Sequence, residues 1–243
     1  MIRLIIFLLY AIVVVIATPF IFLFIHLFLK NNPAKLDKFS QNFVRGVYKC
    51  VLFISGVKIT ALGLENIPDD TAVLYVGNHN SYFDILISYI YFKKPTGYVA
   101  KKEMLRYPLL RRWMRYVHCL FLDRDNPKEG LKTILTGIEE VKSGCSIFIF
   151  PEGTRSKNGE MLPFKEGSLK IAEKSKCPII PVTFNNTSAI FEQHMPFIKK
   201  SHVVIEFGKP IIISELEPEN KKFLGAYTQK IIAETFEKNK VLV

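Results

Sequence analysis

The sequence predicts an α/β fold: a largely parallel sheet flanked by helices and preceded by N-terminal hydrophobic and amphipathic membrane helices. Three observations carry that prediction. From Val57 onward short apolar runs alternate with helical stretches, the pattern of a mostly parallel sheet covered on both faces. The run Ser146-Ile-Phe-Ile-Phe150 is apolar at nearly every position, as a strand buried on both sides requires. Residues Ile2 to Leu29 form one apolar stretch whose only formal charge is Arg3. At 243 residues the chain can bury one sizeable core, with 1–56 as membrane-associated helices and 57–243 as the α/β domain.

Taken as a helix, Ile2–Leu29 would reach roughly 40 Å, more than the ~30 Å of a hydrocarbon core. The run exceeds the usual signal-peptide core and no small-x-small cleavage site follows it, so a retained anchor is expected. Pro19 should kink or divide the helix, giving either a tilted span or a bend within one leaflet. Lys30, Lys35, Lys38 and Arg45 follow the stretch, whereas only Arg3 and the amino terminus precede it. That asymmetry puts the rest of the chain on the cytoplasmic face. From Leu36 to Ile54, the residues Leu36, Phe39, Phe43, Val47, Val51 and Ile54 recur at three- and four-residue steps among basic residues. A basic amphipathic helix of this kind suits an anionic surface and also packs on a globular core.

Expected strands are Val57–Ala61, Ala72–Val76, Tyr98–Ala100, Cys119–Leu122, Ser146–Phe150, Ile179–Phe184 and Val203–Phe207. Among the helices, Lys128–Lys142 has Leu131, Ile134, Leu135, Ile138 and Val141 on one face and Gly144 as its stop. A further helix is expected from about Pro218 to Lys240. Pro181, which donates no ladder hydrogen bond, belongs at a bulge or an edge.

The net charge of +11 fits nucleic acid or an anionic membrane. The hydrophobic N-terminus favours the membrane, and the absence of a compact basic run argues against nucleic acid. Cys50, Cys119, Cys145 and Cys177 are widely spaced, with no CxxC and no neighbouring histidine pattern, so neither a disulfide framework nor a zinc site is expected. His26, His118, His194 and His202 have no carboxylate or cysteine arrangement nearby that suggests catalysis or metal binding, and are read as structural or surface residues.

Two segments carry candidate chemistry. Strand Ala72–Val76 runs into Gly77-Asn-His-Asn-Ser-Tyr-Phe-Asp84 and an apolar helix. Ser81 with Asp84 three residues on has the form of a capping box. His79 then lies in the loop and Asp84 in the first turn, a separation that can bring carboxylate onto imidazole and fix the tautomer of a general base. Ser81 is read as the helix cap, not as a nucleophile, because the Gly-x-Ser-x-Gly elbow is absent. Amides at this helix start are candidates for stabilising an oxyanion. The second segment, Phe150-Pro-Glu-Gly-Thr-Arg-Ser156, leaves the most buried strand with Glu152 as an acceptor and Arg155 as an anion clamp. Arg124, in Phe121-Leu-Asp-Arg124, ends another strand on the same expected edge, as does Lys101.

His-Asn-Ser-Tyr-Phe-Asp, Phe-Leu-Asp-Arg, Phe-Pro-Glu-Gly-Thr-Arg-Ser and Ile-Pro-Val, in that order from Val57 to Phe207, resemble the four-block pattern of the glycerolipid acyltransferases. Within them the chain looks most like the 1-acylglycerol-3-phosphate acyltransferases, and Phe164-Lys-Glu-Gly167 also resembles the family. His118 departs from it, standing where many members carry Gly. The resemblance implies acyl transfer from acyl-CoA or acyl-carrier protein to a lysophospholipid, with His79 and Asp84 catalytic. It further implies that Arg124 and Arg155 bind the acceptor phosphate while Glu152 and Gly153 place the glycerol; Lys101 is added from position alone. No metal or redox cofactor is implied. Glycerol-3-phosphate or another lysolipid as acceptor, and a non-catalytic lipid-binding protein, are the alternatives.

Overall fold

The structure, a computed structural model, describes residues 2–156 and 159–243. Its strands are β1 (Lys58–Leu62), β2 (Leu74–Gly77), β3 (Thr96–Lys101), β4 (Leu120–Leu122), β5 (Ser146–Ile149), β6 (Ile179–Asn185) and β7 (His202–Phe207). They form one sheet in the order β1-β7-β6-β2-β5-β3-β4, with every pairing parallel except β6 with β7. Each strand lies within one or two residues of an expected apolar run.

Alternation along the strands divides the interior into two layers. Val73, Tyr75, Phe148, Ile180, Val182 and Phe184 face helices α1 (Ile2–Phe24), α2 (Pro33–Ser55), α3 (Phe83–Tyr89) and α4 (Pro108–Tyr116). Leu74, Val76, Ile147, Ile149 and Ile179 face the opposite layer. That layer holds α5 (Pro127–Lys142), α6 (Lys170–Ser175) and, after the short α7 (Pro218–Lys222), α8 (Leu224–Asn239). Tyr89 and Phe92 are buried among Tyr75, Tyr98 and Phe148, so they are core. Helix starts follow their sequence signals: Asn32 accepts from Lys35 N ahead of α2, and Asn126 from Lys128 N and Glu129 N ahead of α5, each with Pro in the first turn.

Two expectations change, and a third resolves between its alternatives. The expected helix from Pro218 to Lys240 breaks at Phe223, whose φ of −117° and ψ of 52° are not helical. The apolar N-terminal helix is not divided at Pro19 but runs on to Phe24 and ends in a π-helical turn, Ile25–Leu29. Proline withholds one amide, and burial of Thr18 and Phe22 against Trp113 holds the helix across it; the indole donates to Thr18 Oγ1 at 3.2 Å. Pro181 is not at an edge, since β6 lies inside the sheet. It does sit beside a bulge: Val182 pairs with Phe207 and Ile179 bridges Ile211, so residues 208–210 oppose only residues 180–181.

Helices α1 and α2 form an antiparallel hairpin. The Phe24 and Phe39 rings meet at 5.6 Å near one end. At the other, the Arg3 guanidinium lies 3.0 Å from where a Cβ on Gly56 would stand. Gly56 leads directly into β1, and Thr18 and Phe22 lie on α4, so both ends of α1 rest against the folded domain. Ile2–Leu29 is long and apolar enough to cross a membrane, and Ile2, Phe20 and Phe28 on it are each about 70% exposed. Helix α2 packs inward instead, with Phe43 stacked on Trp113 at 4.5 Å and Arg45 donating to the Phe92 carbonyl.

His118 is a structural residue, as the sequence reading has it, but its partners are ones that reading did not identify. It occupies the left-handed region (φ 59°) just beyond α4, a conformation that glycine adopts without strain. Its Nδ1 meets Glu140 at 3.0 Å and its Nε2 meets Asp37 at 3.1 Å, with Cys145 adjoining. These partners come from α5, α2 and the start of β5, too far apart in the chain for local spacing to reveal them. Hydrogen bonding to Cys145 and Glu140, aided by the Asp37 charge, pushes the imidazole up to about 11. Both ring nitrogens therefore donate, and the imidazolium ties α2 to the α/β domain. Because the folded value lies above the ordinary ~6.5, the stabilisation is complete below that pH and is lost as pH rises through about 11. Replacing His118 by Ala should cost about 2 kcal/mol in urea unfolding at pH 7, the size of a hydrogen bond to a charged group. The gap to wild type should narrow towards pH 11; a gap constant with pH would contradict the imidazolium clamp.

Candidate active site

The parallel strands β2, β5, β3, β4 and β6 end on one edge, and the loops beyond them hold the candidate residues. The tightest cluster forms around Asp84, which is fully buried. Its Oδ2 accepts from His79 Nδ1 at 2.9 Å and from the amides of Asn80 and Ser81 at 2.8 Å, while Oδ1 accepts from the Thr187 hydroxyl. With so many donors directed at it, the carboxylate is an acceptor, and Nδ1 of His79 carries the proton. Nε2 then holds the free lone pair. The imidazole stacks on Phe150, ring centroids 3.9 Å apart at 14°, which fixes its plane, and its side chain remains 15% exposed.

Ser81 behaves as a cap. It is buried, its Oγ accepts from Phe83 N at 3.0 Å, and its hydroxyl donates to Glu192 Oε2 at 2.7 Å. The proposed oxyanion role for this helix start is overturned. The amides of Asn80 and Ser81 go to Asp84, that of Tyr82 to Glu192, that of Phe83 to Ser81 and that of Asp84 to the Ser81 carbonyl.

Glu152 is brought beside His79 but faces inward. Its Oε1 accepts from His79 N at 2.7 Å and its Oε2 from Leu162 N at 2.9 Å. Burial pushes this carboxyl above its ordinary range, and the two amides pull it back down. Both oxygens are committed to backbone, so Glu152 locks the His79 loop to the loop after β5 and does not present an acceptor to a substrate. The Ser156 amide donates to the His79 carbonyl at 2.8 Å and adds a second lock. Gly153 has φ 77°, in the region that favours glycine. A Cβ there would lie 3.1 Å from Lys165 Nζ and 3.9 Å from Arg124 Cζ, so these two cations converge on the turn. Neither forms an ion pair among the described residues.

Arg155 is held differently. Its Nη1 donates to Glu192 Oε1 at 3.0 Å, and its guanidinium lies 3.6 Å over the Tyr82 ring. Lys101 ends β3 in register with Leu122 and is exposed, but no contact joins it to the cluster among the described residues. Two residues were missed by sequence reasoning. Glu192, beyond β6, ties Arg155 to the start of α3, and no local motif announces it. Lys165 was present in the Phe164-Lys-Glu-Gly167 segment, and its positive charge two residues after Pro163 was the available signal.

The Acyltransferase family matches residues 58–185, more than half of the chain. The 1-acyl-sn-glycerol-3-phosphate acyltransferase of Borreliella burgdorferi is 35% identical over 181 residues, covering 73% of this chain and 72% of that protein. The enzyme of the same description from Saccharomyces cerevisiae is 30% identical over 190 residues, 77% of this chain and 61% of the yeast protein. The one from Cocos nucifera is 32% identical over 174 residues, 70% of this chain and 55% of its own length. In fold, the chain is similar to the crystal structure of the 1-acyl-sn-glycerophosphate (LPA) acyltransferase PlsC from Thermotoga maritima. The TM-score is 0.79 at 24% identity, with 98% of each chain covered.

Glu192→Ala leaves Arg155 and the Ser81 hydroxyl without their partner and should cost about 2 kcal/mol in urea unfolding. Ser81→Ala should fold and retain most turnover, and mass spectrometry of the wild type under turnover should show no acyl adduct on Ser81.

Proposed function

The chain belongs to the acyltransferase family, and from that premise we propose that it moves a fatty acyl group from a thioester to the sn-2 hydroxyl of 1-acylglycerol-3-phosphate, giving phosphatidic acid. The donor is acyl-CoA or acyl-carrier protein. The observation that carries the reading is His79 with Nδ1 engaged by Asp84 and Nε2 left as an acceptor, together with the Arg124 and Lys165 cations that converge on the Gly153 turn.

In this reading Nε2 takes the proton from the acceptor hydroxyl as its oxygen attacks the thioester carbonyl. Asp84 steadies the imidazolium that forms. The tetrahedral intermediate collapses with cleavage of the C–S bond, and the imidazolium returns its proton to the departing thiolate. The acyl group arrives activated, so the step uses no protein nucleophile, metal or redox cofactor. Arg124 and Lys165 bind the acceptor phosphate as a pair. Arg155, already engaged by Glu192 and Tyr82, braces the loop and reaches the phosphate with its remaining N–H groups. Glu152 and Gly153 act through the shape of the turn.

The membrane placement belongs to the same proposal. A helix whose two ends both rest on the folded domain does not stand clear of it as a spanning rod. We therefore place α1 in one leaflet, on the cytoplasmic face, with its bare apolar side among lipid chains. The lysolipid acceptor then reaches the site from the leaflet it already occupies.

The test is turnover of oleoyl-CoA with lysophosphatidic acid by detergent-solubilised protein. His79→Ala should lose at least ~10²-fold, the lower end of general-base help, while circular dichroism stays unchanged. Near-normal turnover in that variant would overturn the mechanism. Arg124→Ala and Lys165→Ala should raise the acceptor KM far more than the donor KM, and equal effects on both would contradict the phosphate assignment.

A further inference from the structure

Helix α4 and the turn before it carry Arg106, Arg111, Arg112 and Arg115 with no acidic residue from Tyr107 to Tyr116. None of the four forms an ion pair among the described residues. Arg111 donates to the Leu105 carbonyl at 3.2 Å, and Arg112 donates to the Tyr116 hydroxyl at 2.9 Å and lies 4.4 Å over the Phe22 ring. Those contacts orient the guanidinium groups but leave their charge uncompensated.

Apolar surface lies bare beside this charge. Only Trp113 of α4 is buried, whereas Tyr107 is 51%, Leu109 37% and Leu110 46% exposed. A cleft of about 470 Å³ opens between α1 and α4, lined by Phe22, Pro108, Leu109 and Tyr116 together with Arg111, Arg112 and Arg115. On α1, Leu23, about 100° round the helix from Phe22, is 56% exposed, so the cleft lies at the edge of the apolar face already assigned to lipid. A lining that combines apolar side chains with three guanidinium groups matches a phospholipid, which carries apolar chains and a phosphate. An acidic protein surface would meet the arginines but leave the leucines and the apolar lining of the cleft unmatched.

We infer that α4 is a second lipid-docking element, specific for an anionic leaflet. Tyr107, Leu109 and Leu110 enter the headgroup boundary, and Arg106, Arg111, Arg112 and Arg115 bind lipid phosphates. The inference rests on the membrane placement proposed above. It adds a charge requirement that α1, with Arg3 as its only formal charge, does not supply.

The full chain with Cys50→Ser and Leu110→Cys, carrying an environment-sensitive fluorophore at position 110, is mixed with phosphatidylcholine vesicles or with vesicles that also contain phosphatidylglycerol. The fluorophore should brighten and shift to the blue on the anionic vesicles and much less on the neutral ones. Arg106→Gln with Arg115→Gln, whose side chains make no hydrogen bond among the described residues, should weaken binding to the anionic vesicles by about 10-fold or more. Binding to neutral vesicles and turnover in detergent micelles should be unchanged. If the wild type floats with vesicles but the fluorophore never changes, or the arginine variant binds both compositions like wild type, the α4 inference is overturned and the membrane placement stands. If the wild type floats with neither composition, the membrane placement fails and this inference with it.

Discussion

Everything at the site depends on how one buried carboxylate is satisfied. An ionised Asp84 away from water would be costly, and the structure answers with donors from the His79 ring, two successive amides and the Thr187 hydroxyl. Those donors come from the loop after β2, the start of α3 and the turn after β6, so satisfying Asp84 shapes the corner as a whole. The same arrangement puts the proton on Nδ1 of His79 and leaves Nε2 as the free acceptor. It also spends the helix-start amides, which is why that helix start cannot serve a developing oxyanion.

Around this corner, two further carboxylates join loops instead of meeting substrate. Glu152 pins the backbone of His79 to the loop after β5, and Glu192 pins Arg155 to the first residues of α3. Glu152, which looks like a substrate ligand in sequence, here fixes the position of its neighbours. Free charge is left at the Gly153 turn, where Arg124 and Lys165 approach from the loops after β4 and β5. Anionic chemistry is drawn to that point because the surrounding acids are already engaged.

The sheet was legible because burial on both faces leaves continuous apolar runs, and Ser146–Ile149 reads that way residue by residue. The His79–Asp84 pair was legible because both partners sit across one strand-to-helix corner. What could not be read came from pairings distant in the chain. His118 gathers Asp37, Glu140 and Cys145 from three separate elements, and Glu192 lies about 110 residues beyond the Ser81 it holds. The persistence of α1 through Pro19 was likewise decided by tertiary packing on Trp113, which outweighed the local proline signal. The break at Phe223 has no Gly or Pro at its position to announce it.

The central geometry has a simple form: Asp84 holds His79 as the Nδ1–H tautomer, with Nε2 left as the free acceptor. The most direct measurement is the nitrogen-15 NMR spectrum of His79 in selectively labelled protein, above the pH at which the ring deprotonates. The account predicts a protonated Nδ1 and an unprotonated Nε2 in the wild type, with that preference lost in Asp84→Ala. A neutral ring carrying its proton on Nε2 in the wild type would contradict it, because no lone pair would then face the acceptor hydroxyl.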